Sequence, residues 1–119
     1  LPIDKPNMQA ITTRIPIGVI AAIIPWNSQM LLTATKLAPA LAMGNTVVIK
    51  SSELAPAVMF EFVKLIEKTG IPKGVVNVIS GLANPCGKAL TTHQLVEKIA
   101  FTGGPDTARN IIKNSFITN

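Results

Sequence analysis

Val19-Ile20-Ala21-Ala22-Ile23-Ile24 is an unbroken apolar run closed by Pro25. Successive side chains of a strand point to opposite faces, so a half-exposed strand alternates apolar with polar residues. Here neither face is polar. Both faces of such a strand are expected to be covered, as in a parallel sheet with helices on each side. Runs of the same kind recur at residues 46–50 (TVVIK), 75–79 (VVNVI) and 98–102 (KIAFT). The order therefore predicts four buried parallel strands.

The intervals carry helical patterns. Ser28 is placed as N-cap of a helix reaching about Met43, with Leu31, Ala34, Leu37, Ala38, Leu41 and Ala42 as its apolar positions. Gly44 suits its left-handed stop. Pro39, inside this stretch, is expected to kink or divide it, because proline lacks an N–H and its ring clashes with the preceding turn. A second helix is expected over residues 56–69. Val58, Met59, Phe62, Val63 and Ile66 line one face of it, and Glu61, Lys64, Glu67 and Lys68 the other. Gly70 and Pro72 end it. A short helix over residues 85–92 and a last one over 105–114 both open with proline, which suits a first helical turn. Strand and helix thus alternate four times, an open α/β sheet of Rossmann-like type with helices on both faces. Residues 10–18 are expected as an extra strand, residues 1–9 as an arm or linker, and 19–119 as a partial dinucleotide-binding domain.

Composition narrows the function classes. The chain has 119 residues, 48% hydrophobic and 14% charged, so it has enough apolar surface for a core and is not a disordered segment. No apolar run approaches the roughly 20 residues that cross a bilayer. No basic start followed by an apolar stretch marks a secretory signal. The chain opens on Leu1, the mark expected of a processed or excised piece. The net charge of +5 comes from scattered Lys and Arg, with only 4% aromatic residues and no Tyr, which speaks against a nucleic-acid surface. One cysteine, Cys86, and one histidine, His93, leave no internal disulfide and no zinc ligand set, so no metal is expected. The default compartment is the cytoplasm.

In open parallel sheets ligands bind beyond the carboxyl ends of the strands, where loops lead into helix N-termini whose free N–H groups attract anions. Pro25-Trp26-Asn27 follows the first run. Lys50-Ser51-Ser52-Glu53 closes the second, residues 81–87 follow the third, and Thr102-Gly103-Gly104 closes the fourth. Each has a plain alternative. The glycines can be turns, Glu53 can favour the next helix through its dipole, and Trp26 can be a packing residue. Gathered on one edge, they point to a nucleotide site.

Several motifs in fixed order resemble the aldehyde dehydrogenase superfamily: IIPWN at 23–27, KLAPALAMGNTVVIK at 36–50, SSE at 51–53, GIPKGVVNVISG at 70–81 and KIAFTGG at 98–104. The likeness runs from about Arg14 to Ile112. It implies an NAD(P)-dependent oxidation of an aldehyde to a carboxylic acid, in a protein that is a homo-oligomer. It places Asn27 as an oxyanion-hole donor, a contribution of about 2.7–4 kcal/mol for one such group. Ile23, Ile24, Pro25 and Trp26 would line the coenzyme cleft. Lys50 and Glu53, with Ser52 beside them, would hold the adenosine ribose. A carboxylate there accepts from both ribose hydroxyls and repels a 2′-phosphate, which favours NAD, while Lys50 leaves NADP open. Gly87, Phe101, Thr102, Gly103 and Gly104 would border the diphosphate and nicotinamide half.

The sequence departs from the family pattern at Ala83 and Ala108, where glycine is common, and at Gly104, where serine is common. The family's thiolate and glutamate match no residue here. Cys86 does not match the nucleophile and is expected to be half-buried; His93 is expected on the surface. The segment alone is therefore expected to be inactive. Two rival expectations remain: a non-catalytic nucleotide-binding or interaction module, and a coenzyme A-acylating relative.

Overall fold

The structure is a computed structural model, and it describes residues 7–116. Four strands, β1 (Val19–Ile23), β2 (Thr46–Ser51), β3 (Val76–Ser80) and β4 (Val96–Phe101), form one sheet in the order β3-β2-β1-β4. Every pairing is parallel. The helices are α1 (Gln29–Ala42), α2 (Ala57–Glu67), the short α3 (Lys88–Thr91), which continues a π-helical turn over Ala83–Gly87, and α4 (Pro105–Ser115).

The apolar run that opened the sequence reading shows why both faces are covered. Ile20, Ala22 and Ile24 pack with Leu37 and Ala40 of α1 and Met59 and Ile66 of α2. The intervening Ala21 and Ile23 pack with Leu90 of α3 and Ile111 of α4. One strand thus contributes to two cores. Val47, Ile49 and Met59 are fully buried, and each such side chain stabilises the fold by about 1.5–3 kcal/mol.

The chain winds outward from β1 through β2 to β3, then returns to the other side of β1. The connections through α1 and α2 cover one face, and α3 and α4 cover the other. The helices that follow β1 and β4 therefore lie on opposite faces, which makes β1–β4 the switch point at which such sheets open a crevice. Register levels the strand ends there: Ile23 pairs with Lys50 on one side and Phe101 on the other. The ladder runs one step further, since Ile24 N–H donates to the Lys50 carbonyl at 3.2 Å and Thr102 N–H to the Ile23 carbonyl at 3.1 Å.

Four local expectations are corrected. Residues 10–18 form no strand among the described residues, and they meet the sheet only at their end, where the Gly18 carbonyl accepts from Thr46 N–H of β2 at 3.2 Å. Ile11 and Ile15 stay exposed, and only the end is tied down: Ile17 and Gly18 N–H donate to Asn45 Oδ1 at 2.6 and 3.0 Å. The expected arm lies partly, over residues 1–6, outside the described residues. Pro39 does not divide α1, which runs continuously through it. Ser28 precedes α1 but its side chain makes no cap hydrogen bond; its backbone is left-handed, with φ 50°. Val58, expected on the core face of α2, is exposed.

Candidate functional site

A cleft of about 320 Å³ opens at the carboxyl edge, at the switch point between β1 and β4. Its walls include Ile23, Ile24, Pro25 and Trp26 from the end of β1, and Lys50, Ser52 and Glu53 from the end of β2. Gly87 comes from the turn leading into α3, and Phe101, Thr102, Gly103 and Gly104 from the end of β4. All twelve residues expected to meet a coenzyme therefore line one cavity. Asn27 is exposed and does not line it. The common rim expected for Asn27, Lys50, Glu53 and Thr102 holds for the last three only.

Chemistry differs along the cleft. Lys50 is buried, yet its Nζ donates to the Ser51 carbonyl at 3.2 Å and lies 3.6 Å from Glu53 Oε2. Glu53 is exposed on the rim, with carboxylate lone pairs left for further donors. Ser52 Oγ is held by the N–H of Leu54 at 3.2 Å. Trp26 stands 61% exposed, so it is not a core residue but a wall of the cleft.

The β4 end is shaped by glycine. A Cβ on Gly103 would sit 2.5 Å from the Phe101 ring, so the ring and any side chain there exclude each other. Gly104 has nothing within 4 Å of such an atom, and a serine would fit. Its absence removes a hydroxyl without being forced by packing. Gly81 is required by the close approach of Cys86, whose Cβ would lie 2.7 Å away. Cys86 itself is half-buried and lies outside the cleft wall. His93 is exposed, its Nδ1 accepting from Leu95 N–H at 3.2 Å.

The sequence reading missed several contributors. Thr107, Asn110, Ile111 and Asn114 face the cleft from α4, and Ala83, Lys88 and Thr91 from the β3–β4 connection. Lys36 is the most consequential. From α1 it reaches the tip of β4, where Nζ donates to Thr102 Oγ1 at 2.5 Å. Burial lowers the pKa of its ammonium below the ordinary lysine value. Lys36 entered the sequence reading only as the first residue of the motif at 36–50; its reach to the tip of β4 had no local signal.

Comparison with known proteins now decides the family. The pattern described as aldehyde dehydrogenase family matches residues 1–118. The chain belongs to the aldehyde dehydrogenase family. It is 58% identical, over 97% of its length, to the (Z)-2-((N-methylformamido)methylene)-5-hydroxybutyrolactone dehydrogenase of Acinetobacter baylyi, of which it covers 24%. It is 44% identical, over 92% of its length, to the NADP/NAD-dependent aldehyde dehydrogenase PuuC of Escherichia coli, of which it covers 22%. Among solved structures it superposes on PnpE in complex with nicotinamide adenine dinucleotide with a TM-score of 0.85 and 48% identity, covering 88% of this chain and 22% of that one. A betaine aldehyde dehydrogenase of Staphylococcus aureus in complex with NAD+ gives a TM-score of 0.83 at 39% identity, covering 87% of this chain and 20% of that one. This family segment thus spans at most about a quarter of the length of these relatives.

Proposed function

We propose that this chain is the coenzyme-binding segment of an NAD-dependent enzyme that oxidises an aldehyde to a carboxylic acid. In this reading residues 19–119 are part of a dinucleotide-binding domain preceded by an arm. The observation that carries it is the cleft: residues from three strand ends and the α3 turn, far apart in sequence, meet at the switch point of a parallel sheet.

The residues present fit a dinucleotide. Glu53, exposed on the rim, accepts hydrogen bonds from ribose hydroxyls, and Lys50 beneath it donates. The carboxylate opposes a 2′-phosphate, which favours NAD, while Lys50 leaves NADP usable. Ile23, Ile24, Pro25 and Trp26 supply apolar wall. The turn at Gly103-Gly104 enters α4, whose first-turn N–H groups and dipole favour a diphosphate. Thr102, held by Lys36, borders the far half of the coenzyme. The bound nicotinamide would supply the hydride acceptor. Asn27 belongs to the aldehyde side of the same turn, where its side-chain amide would donate to the developing oxyanion. Its position outside the cleft wall is consistent with a role toward substrate rather than coenzyme.

The nucleophilic thiolate and the glutamate that this chemistry uses correspond to no residue of the chain, and the segment by itself is inactive in this reading. Homo-oligomerisation and a cytoplasmic location of the parent protein belong to the same proposal. The test is NAD binding by the parent protein, measured by calorimetry, together with reduced-coenzyme formation from a panel of aldehydes. Binding with turnover supports the reading. Binding without turnover on any aldehyde would favour a non-catalytic module, and turnover only with coenzyme A present would favour an acylating relative.

A further inference from the structure

Gln29 opens α1 at a position where a helix usually meets solvent, yet it is only 6% exposed. Its Nε2 donates to the Trp26 carbonyl at 3.2 Å and to the Ala55 carbonyl at 2.7 Å. Both amide hydrogens are thereby used, on two loops that leave neighbouring strands. One loop carries Pro25 and Trp26, the other Ser52 and Glu53, and these four residues line the cleft. We propose that Gln29 is a positioning residue that fixes the gap between these two loops and so sets the grip on the coenzyme. This rests on the coenzyme reading above.

Three features argue for it. The amide cannot be turned over, because its oxygen would then face two carbonyl oxygens. Its Oε1 is buried without a hydrogen-bond partner among the described residues. An unpaired buried acceptor is unfavourable, and an apolar side chain of the same length would avoid it. The amide's contribution therefore lies in what its N–H groups hold. Finally, Ser28 between the turn and the helix has φ 50°, a conformation that L residues disfavour. The bond from Gln29 back to Trp26 closes that turn. Gln29 makes no helix-capping hydrogen bond of its own, so capping does not explain its burial.

The experiment uses the full-length parent protein, starting with calorimetric NAD binding by the wild type. Gln29→Met keeps the length and removes both donors. The coenzyme KM should rise about five- to tenfold, the equivalent of one or so hydrogen bonds, with kcat at saturating coenzyme unchanged. A lower melting temperature with an unaltered coenzyme KM is what a merely structural residue would give, and it overturns the proposal. Gln29→Glu adds a second, independent readout that serves even if Gln29→Met does not fold. Protonated, the acid can donate to one carbonyl; ionised, it faces two carbonyl oxygens. Below the alkaline range in which Lys36 loses its proton, its coenzyme KM should rise with pH while the wild-type KM stays level, and a profile parallel to wild type there overturns the proposal. A wild-type protein that binds no NAD is a different result: it removes the coenzyme reading itself, and this inference with it.

Discussion

Replacing Lys36 with methionine keeps the length of the side chain and removes its ammonium. The bond lost is the one from Nζ to Thr102 Oγ1 at 2.5 Å, which joins α1 to the tip of β4. Thr102 is otherwise held there by its N–H on the Ile23 carbonyl, so its backbone stays and its hydroxyl is released. A hydrogen bond to a charged group contributes about 1.5–3 kcal/mol, and partial exposure of Lys36 argues for the lower end. About 1.5 kcal/mol corresponds to about a tenfold loss, expected in kcat/KM for the coenzyme in the full-length enzyme.

The pH dependence provides a second signature. Burial lowers the Lys36 pKa, so the folded protein releases this proton at a lower pH than the unfolded chain does. Between those two values the unfolded state binds more protons, and stability rises with pH. The penalty for burying the charge is therefore fully present below the folded pKa and is lost on the alkaline side. In the same window the neutral amine holds Thr102 less firmly, so coenzyme KM should climb. Lys36→Met should abolish both trends. Steady-state kinetics and thermal melts across the alkaline range measure them. A variant with wild-type kcat/KM and a wild-type pH profile would refute the link between Lys36 and the site.

Glu53→Gln should raise KM for NAD and lower it for NADP, shifting the preference by about tenfold or more because the repelling charge is gone and Lys50 loses its 3.6 Å partner; kinetics with both coenzymes check it. Asn27→Ala should lower kcat by about 10²–10³-fold if it donates to the oxyanion, with an unchanged melting curve because the side chain is exposed. Ile49→Ala, at a fully buried position of β2, should cost about 2–5 kcal/mol of stability, seen in chemical denaturation.

The sheet was legible because its central strands β1 and β2 carry apolar side chains on both faces; β3 and β4, expected to be buried as well, stand at the ends of the order and are only half-buried, with Asn77, Glu97 and Lys98 exposed. That signature is local to each run, so all four strands fall within two residues of their expected bounds. The cleft at the sheet edge was legible from the polar residues and glycines that directly follow each strand, while the individual residues lining it were named through the family resemblance. What stayed hidden depends on reach between elements. Lys36 and Gln29 lie on a helix, and nothing in their spacing tells that one extends to β4 and the other to the β2–α2 loop. The α4 residues facing the cleft were hidden for the same reason. Residues 10–18 have β-branched character but no strand beside them among the described residues, and propensity without a partner makes no sheet. Asn27 shows the limit of placing residues by strand ends alone: one position beyond Trp26, the turn has already carried it out of the cleft wall.

The most direct test is a crystal structure of the full-length protein grown with NAD. The adenosine ribose should lie within hydrogen-bonding distance of Glu53 and Lys50, with the diphosphate at the turn of Gly103 and Gly104 before α4. Coenzyme seated away from the β1–β4 switch point, with Glu53 facing open solvent, would contradict it.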